Sequence, residues 1–104
     1  MGIKRQHQRY LVKLPAEIHF RDYMIQGITV RVSQKGFFIR SQRNFPVGTS
    51  VAINLRLLDD SVCRLHGIVK YVRNVNLIER KNGMGIELTQ GDPRFSEFMK
   101  SLQN

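Results

Sequence analysis

The sequence predicts a mainly β protein, a small antiparallel β-barrel followed by a C-terminal α-helix. Several short segments alternate apolar and polar residues, which is typical of half-buried strands, and turn-forming residues separate them. The C-terminal residues instead space their apolar side chains as a helix does. The length of 104 residues, of which 41% are hydrophobic, allows one modest core, so we expect residues 1–104 to form a single domain.

Two strands are predicted in the first third of the chain, at 14–20 and 28–33. In the second of these, alternation predicts that the apolar residues share one face, opposite Arg31 and Ser33. Those apolar residues are Ile28, Val30 and Val32. Gly36 is expected in a turn or bulge, after which the chain becomes extended again.

The later strands are predicted on both sides of a hairpin. Residues 51–57 alternate apolar and polar side chains and form the first strand. Asp59-Asp60-Ser61 makes the turn, and residues 62–73 form the second strand of the hairpin. A polar loop at 74–82 then leads to a final alternating strand at 84–88.

The C-terminal helix is predicted over residues 92–103. Asp92 suits the N-cap and Pro93 the first helical position. The apolar residues at helical spacing are Phe95, Phe98, Met99 and Leu102. We expect this apolar face to pack on the mouth of the barrel, and docking on a partner is the alternative.

The chain is strongly basic, with a formal net charge of +9. A charge of this size favours anionic partners, namely nucleic acid, an anionic membrane or a nucleotide, without choosing among them. Lys4, Arg5, Arg9 and Lys13 cluster near the N-terminus. We expect residues 1–10 to form a basic segment that is mobile without a ligand.

Several classes of function are disfavoured by what the sequence lacks. It contains no apolar stretch that could cross a membrane and begins without a secretory signal. Its one cysteine, Cys63, fits a reducing cytoplasm. The histidines, His7, His19 and His66, are scattered, so we expect no metal site. No nucleophile–base pair is evident, so we expect no catalytic residues and no enzyme activity.

Two arginines and a Ser/Gly pair form the most informative motif. Arg5 and Arg9 lie four residues apart and project the same way from a helix or a strand. Each guanidinium offers a fork of donors that suits a phosphate or the O6/N7 edge of guanine. Ser33 and Gly36 follow where a strand turns, so a hydroxyl and an unobstructed backbone lie close together.

In this order the motifs resemble the PilZ domain, a bacterial receptor module for cyclic di-GMP. The family pattern is Arg-x-x-x-Arg followed by Asp/Asn-x-Ser-x-x-Gly. Here the two halves read Arg5-Gln6-His7-Gln8-Arg9 and Arg31-Val32-Ser33-Gln34-Lys35-Gly36. Gly67-Ile68-Val69 and residues 83–88 are similar to later strands of the family. The resemblance runs from about Lys4 to Leu88 and implies a six-stranded barrel.

The resemblance also implies how cyclic di-GMP would bind, with no other cofactor. Arg5 and Arg9 would hold phosphate oxygens and guanine edges, and Ser33 would hydrogen-bond near the ligand. Gly36 would let the backbone come close to the ligand. Lys4 and Gly85 are possible additional contacts, and Lys4 would add charge for a second stacked nucleotide.

Arg31 departs from the family pattern. The family's Asp or Asn can accept hydrogen bonds from guanine N–H groups, whereas an arginine has no acceptor. Arg31 either contacts the ligand in a new way, through a phosphate or guanine O6/N7, or lowers the affinity.

Two alternatives to a cyclic di-GMP receptor follow. A degenerate PilZ-type adaptor would act through a protein partner with weak or no nucleotide binding, and Arg31 favours this hypothesis. A basic barrel that binds single-stranded nucleic acid would stack bases on Phe37, Phe38 and Tyr10, but we consider nucleic acid unlikely as a partner.

Overall fold

The computed structural model describes residues 8–74 and 82–103 of the chain. The elements that it contains are β1 (Tyr10–Leu11), β2 (Pro15–Phe20), β3 (Tyr23–Ser33), β4 (Gly36–Ser41), β5 (Ser50–Arg56), β6 (Val62–Arg73), β7 (Gly83–Leu88) and α1 (Pro93–Ser101). Strands β2 to β7 pair antiparallel in the ring β3–β2–β5–β6–β7–β4, which closes where β4 pairs with β3. The predicted mainly β barrel of six strands with a C-terminal helix is therefore confirmed.

The inward-facing side chains of the strands form the hydrophobic core. In β5, Val51, Ile53 and Leu55 alternate with more exposed residues, as predicted. The helix contributes Phe95 and Met99, both at most 2% exposed. Phe95 meets Phe37 of β4 edge to face, with ring centroids 6.1 Å apart. The helix thus closes the barrel core, as an amphipathic face of this spacing should.

Strand β3 is longer than predicted and its alternation is broken. It begins at Tyr23, directly after a tight turn in which Arg21 adopts a φ of 54°. Most residues between Tyr23 and Ile28 are at least partly exposed, so their sequence carries little apolar alternation. The prediction of a strand confined to 28–33 was therefore too short.

A β-bulge in β3 overturns the predicted shared face of Ile28, Val30 and Val32. The register against β4 shifts between Thr29 and Arg31, so Val30 is an additional residue. As a result Thr29 is fully buried, whereas Ile28 is 37% exposed. The Thr29 hydroxyl donates to the Val12 carbonyl at 2.7 Å and accepts from the Leu14 amide at 2.8 Å. These two bonds satisfy the buried hydroxyl, which explains how a polar residue replaces an apolar one in the core.

A second bulge lies in β6. Its register against β7 shifts between Val69 and Tyr71, which makes Lys70 the additional residue. Both bulges adjoin the same pair of residues, Phe38 of β4 and Gly85 of β7, which are partners in the central ladder. The four strands β3, β4, β7 and β6 thus form one curved part of the barrel, which we call the site wall.

The C-terminal helix is shorter than the predicted 92–103. It starts at Pro93, and the side chain of Asp92 accepts hydrogen bonds from the Arg94 and Phe95 amides at 2.8 and 3.1 Å. It ends at Ser101, with Leu102 as the C-cap. The predicted polar loop at 74–82 lies almost wholly outside the described residues, as does most of the basic segment 1–10.

Candidate functional site

A row of four residues crosses the outer face of the site wall. The strand registers align Arg31 of β3 with Phe38 of β4, Phe38 with Gly85 of β7, and Gly85 with Tyr71 of β6. Directly paired residues in a sheet project to the same face. Because each bulge shifts its strand by one residue beside this row, both Arg31 and Tyr71 are turned outward next to Phe38.

Phe38 is the centre of this row and is covered by its neighbours. The Arg31 guanidinium carbon lies 5.6 Å from its ring centroid, and that of Arg73 lies 5.2 Å from it. The ring of Tyr71 stacks against it, with centroids 6.0 Å apart and planes inclined by 14°. Although only 5% exposed, Phe38 lies outside the barrel core, whereas its neighbour Phe37 belongs to the core. Cation–π contacts of this kind orient both guanidiniums on the outer surface.

Gly85 is required by the position of the tyrosine. A Cβ added at Gly85 would lie 2.0 Å from a ring carbon of Tyr71. The bare backbone therefore provides the space in which Tyr71 lies flat across β7 and reaches Phe38. The ring remains 44% exposed and forms part of the surface of the site.

A second row crosses the same wall beside the first. It aligns Ser33 with Gly36, Gly36 with Glu87, and Glu87 with Ile68. The Ser33 hydroxyl accepts from the Lys35 amide and donates to the Gly36 carbonyl, both at 3.2 Å. Ser33 therefore fixes the turn between β3 and β4. The Lys35 carbonyl in turn accepts from the Leu88 amide at 2.8 Å, which ties this turn to β7.

Gly36 is needed for a reason other than the one predicted from the sequence. It is the first residue of β4 rather than a turn or bulge residue, and its φ is not positive. A Cβ at this position would lie 2.0 Å from the Ile86 carbonyl oxygen of β7. The glycine thus permits close approach of β4 and β7, and it is itself buried.

Arg9 reaches the same surface through the short strand β1. Tyr10 pairs with Val32 and Leu11 with Arg31, so this register continued by one residue brings Arg9 opposite Ser33. Around these residues lies an open pocket of about 240 Å³. Its charged lining consists of Arg9, Arg31, Lys35, Lys70 and Glu87. Four cations around one carboxylate make a surface that attracts anions.

The structure brings together five of the residues singled out in the sequence, namely Arg9, Arg31, Ser33, Gly36 and Gly85, all of which line this pocket. Lys4 and Arg5 lie outside the described residues. Sequence reasoning did not find Lys35, Lys70, Tyr71 and Glu87. For Lys70 and Tyr71 a signal existed, because the inward-facing residues Val69 and Val72 are three apart, which breaks the alternation.

The barrel fold is shared with two solved structures. The first is the Bacillus subtilis inhibitor of motility, MotI (also called DgrA), with a TM-score of 0.76 and 17% identity. The match covers 97% of this chain and 50% of that one, so the chain spans about half the length of MotI. The second is the PilZ domain of CeSA from a cellulose-synthesizing bacterium, with a TM-score of 0.64, 18% identity and coverage of 91% and 93%. Comparison with curated protein sequences gives no significant match.

A small barrel with a cationic pocket on its outer wall defines a ligand-binding domain. The model of the PilZ domain family matches residues 3–102, so the chain belongs to that family. Among the described residues, the helix is too short to span a bilayer.

Proposed function

We propose that this chain binds cyclic di-GMP on the outer face of the site wall. The observation that carries the proposal is the convergence of Arg9 with Arg31, Ser33 and Gly36 at one cationic pocket, although Arg9 lies more than 20 residues before them in the chain. A dianionic ligand with two guanine bases matches both the charge and the aromatic surface of this pocket.

Arg9 and Arg31 are the proposed phosphate and base contacts. Arg9 enters from the chain before β1, and Arg31 is held over Phe38. Each charge-assisted hydrogen bond from a guanidinium contributes about 1.5–3 kcal/mol. Arg5, and Lys4 beside it, are proposed to complete the clamp from the segment that precedes the described residues.

Ser33 and Gly36 have a supporting role in this proposal. The Ser33 hydroxyl shapes the turn that carries Lys35, and Gly36 adds no side chain to the pocket that it lines. Gly85 acts indirectly, by leaving room for Tyr71. The exposed tyrosine ring provides an apolar surface against which a base can lie.

The test is calorimetric titration of the purified chain with cyclic di-GMP, GTP and GMP at fixed ionic strength. We expect saturable binding of cyclic di-GMP, and weaker or no binding of the two mononucleotides. Equal heats for all three would indicate non-specific attraction of phosphate to a basic surface. Absence of heat for all three would reject the receptor function.

A PilZ-type adaptor is the second candidate, and the position of Arg31 favours it. No hydrogen-bond acceptor stands on β3 at the place of the family's Asp or Asn, because the guanidinium is donor-only. In that case an exposed protein-binding surface, rather than a nucleotide, would be the functional feature. A chain that fails to bind cyclic di-GMP but binds a protein partner would establish this alternative.

We further propose that the domain acts in the cytoplasm, without catalysing a reaction and without a cofactor other than its ligand. The single cysteine, Cys63, is buried, which is compatible with a reducing compartment. A downstream protein partner would bind the domain in its ligand-bound state. A test with single-stranded RNA checks the choice of ligand. RNA affinity that equals the affinity for cyclic di-GMP and falls steeply with salt would contradict a cyclic di-GMP receptor.

A further inference from the structure

The carboxylate of Glu87 is the chemically unexpected group in the pocket. It is exposed on β7, paired with Gly36 on one side and Ile68 on the other, and it lines the pocket together with Arg9, Arg31 and Lys35. A carboxylate repels the phosphates that the surrounding cations attract, so it weakens binding of a simple anion. Glu87 favours a ligand only where that ligand presents hydrogen-bond donors.

The surrounding charged side chains supply donors only. Arginine and lysine have no acceptor, and the Ser33 hydroxyl is engaged within its own turn. An ionised glutamate is acceptor-only, with two oxygens side by side. The pocket therefore combines donors for phosphate or for a carbonyl edge with one bidentate acceptor.

Guanine matches this acceptor because its N1–H and 2-amino group are adjacent donors. Adenine does not, since its N1 is an acceptor beside the 6-amino donor. Gly36, which pairs with both Ser33 and Glu87, places no side chain between the carboxylate and the turn at Ser33. On the basis of the proposed cyclic di-GMP binding, we propose that Glu87 accepts hydrogen bonds from N1–H and the 2-amino group of one guanine. Glu87 is thereby the residue that determines base specificity.

This assignment also accounts for Arg31. Because the acceptor for guanine is then on β7, position 31 on β3 does not need to supply one. It can carry a cation, which is held over Phe38. The donor and the acceptor for one base then lie on different strands of the same wall. The two positions should consequently be coupled, and a carboxylate at position 31 should compensate for the loss of the one at position 87.

The experiment titrates cyclic di-GMP and cyclic di-AMP into the unchanged chain, Glu87→Gln and Glu97→Gln. The last variant removes the same charge from an exposed position on α1 and is the matched control. We expect Glu87→Gln to weaken cyclic di-GMP binding about tenfold, through loss of a charged acceptor. Cyclic di-AMP should gain affinity, because an amide offers the donor–acceptor pair that adenine requires. The control should change neither value.

A second variant tests the coupling. Arg31→Asp in the Glu87→Gln background should recover most of the lost preference for cyclic di-GMP over cyclic di-AMP. If Glu87→Gln and Glu97→Gln behave alike while the unchanged chain binds cyclic di-GMP, the role of Glu87 is rejected and the proposed function stands. If the unchanged chain binds no cyclic di-GMP, both are rejected. A thermal melt of each variant shows whether a loss reflects unfolding instead, and Glu87→Ser then repeats the test with a smaller side chain.

Discussion

The site wall and the opposite wall, made of β2 and β5, are built from the same kind of antiparallel ladder but differ in regularity. The register between β2 and β5 runs without interruption from Ala16 to His19. The site wall contains two bulges beside one central pair, at Val30 and Lys70. The regular wall supports the core, whereas the bulged wall additionally turns Arg31 and Tyr71 outward onto one surface.

The outer surfaces of the two walls differ accordingly. On the opposite wall, His19 and Asn54 both contact the Glu17 carboxylate, at 3.3 and 3.4 Å, and Arg64 of the adjoining strand β6 donates to Asn54 at 3.2 Å. Its polar groups therefore satisfy one another. On the site wall, the cations surround an open pocket instead. The bulges of the ladder thus occur on the wall that carries the cationic pocket, and the ladder between β2 and β5 has none.

The largest expected effect is the loss of stability caused by Gly36→Ala in the site wall. The added Cβ would meet the Ile86 carbonyl at 2.0 Å, so β4 and β7 must separate. We expect the free energy of unfolding to fall by about 3 kcal/mol, as in other cases of overpacking. Urea denaturation of the variant measures this change.

Gly91→Ala is the matched control for that prediction. A Cβ there would meet nothing within 4 Å, and the residue has no positive φ. This variant should be neutral or stabilised by up to about 1 kcal/mol. Equal destabilisation of both variants would show that the close approach of β4 and β7 has no energetic importance.

Arg9→Ala should affect binding rather than stability. Loss of a charged contact worth about 1.5–3 kcal/mol weakens cyclic di-GMP binding by roughly tenfold to a hundredfold. Arg5→Ala should behave in the same way. Calorimetry measures the affinity and a thermal melt the stability. Arg56→Ala on β5, an exposed arginine of the opposite wall, is the control and should leave binding unchanged. Similar losses from all three arginines would mean that only net charge matters.

Arg31→Asp tests whether the cation on β3 is a defect or a contact. An aspartate there removes the guanidinium that is the proposed ligand contact and adds a negative charge that repels the phosphates. It also offers an acceptor to a guanine, and one or two hydrogen bonds of about 1–2 kcal/mol oppose that loss. We expect weaker cyclic di-GMP binding, by about 1 kcal/mol, at physiological ionic strength. Tighter binding would show that Arg31 is not a ligand contact and that it lowers the affinity.

The smallest expected effect concerns the opposite wall and pH. Hydrogen bonds from Asn54 and His19 lower the pKa of Glu17 from its ordinary value of 4.5. The ionised carboxylate therefore stabilises the fold above that value, and the contribution is lost as the pH falls through the lowered pKa. Glu17→Gln should slightly reduce the difference between urea midpoints measured near neutral pH and at about pH 3. Because the group is exposed, the change is small, and the exposed Glu97→Gln should produce none.

Much of the fold was predictable because most inward positions follow a simple period. Alternation along β5 and helical spacing at Phe95 and Met99 indicated the barrel and its helix directly. The bulge at Val30 was not predictable, because an apolar, β-branched residue is also typical of a regular strand. Nothing in the sequence indicates that Val30 has no partner in the ladder with β4. The buried Thr29 was missed for the same reason, because its two hydrogen-bond partners become neighbours only in the fold.

Only those site residues that belong to a recognisable sequence motif were predictable. Arg9, Arg31, Ser33 and Gly36 belong to such a motif, and the structure places them around one pocket. Lys70, Tyr71 and Glu87 come from strands far along the chain, and only the pairing of β6 with β7 and β4 brings them there. Their meeting depends on strand register. The only local sign in the sequence is the broken alternation between Val69 and Val72, which concerns Lys70 and Tyr71 but not Glu87.

Closure of the ring restricts how this domain can be recruited. Each strand from β2 to β7 is hydrogen-bonded on both sides, and among the described residues only the two-residue strand β1 ends the sheet. An extended peptide thus finds almost no unpaired backbone to which it could add as a further strand. Any protein that associates with the barrel must therefore bind through contacts with its side chains. The same property protects the domain from edge-to-edge aggregation, even though its surface carries exposed apolar residues such as Leu11 and Tyr23.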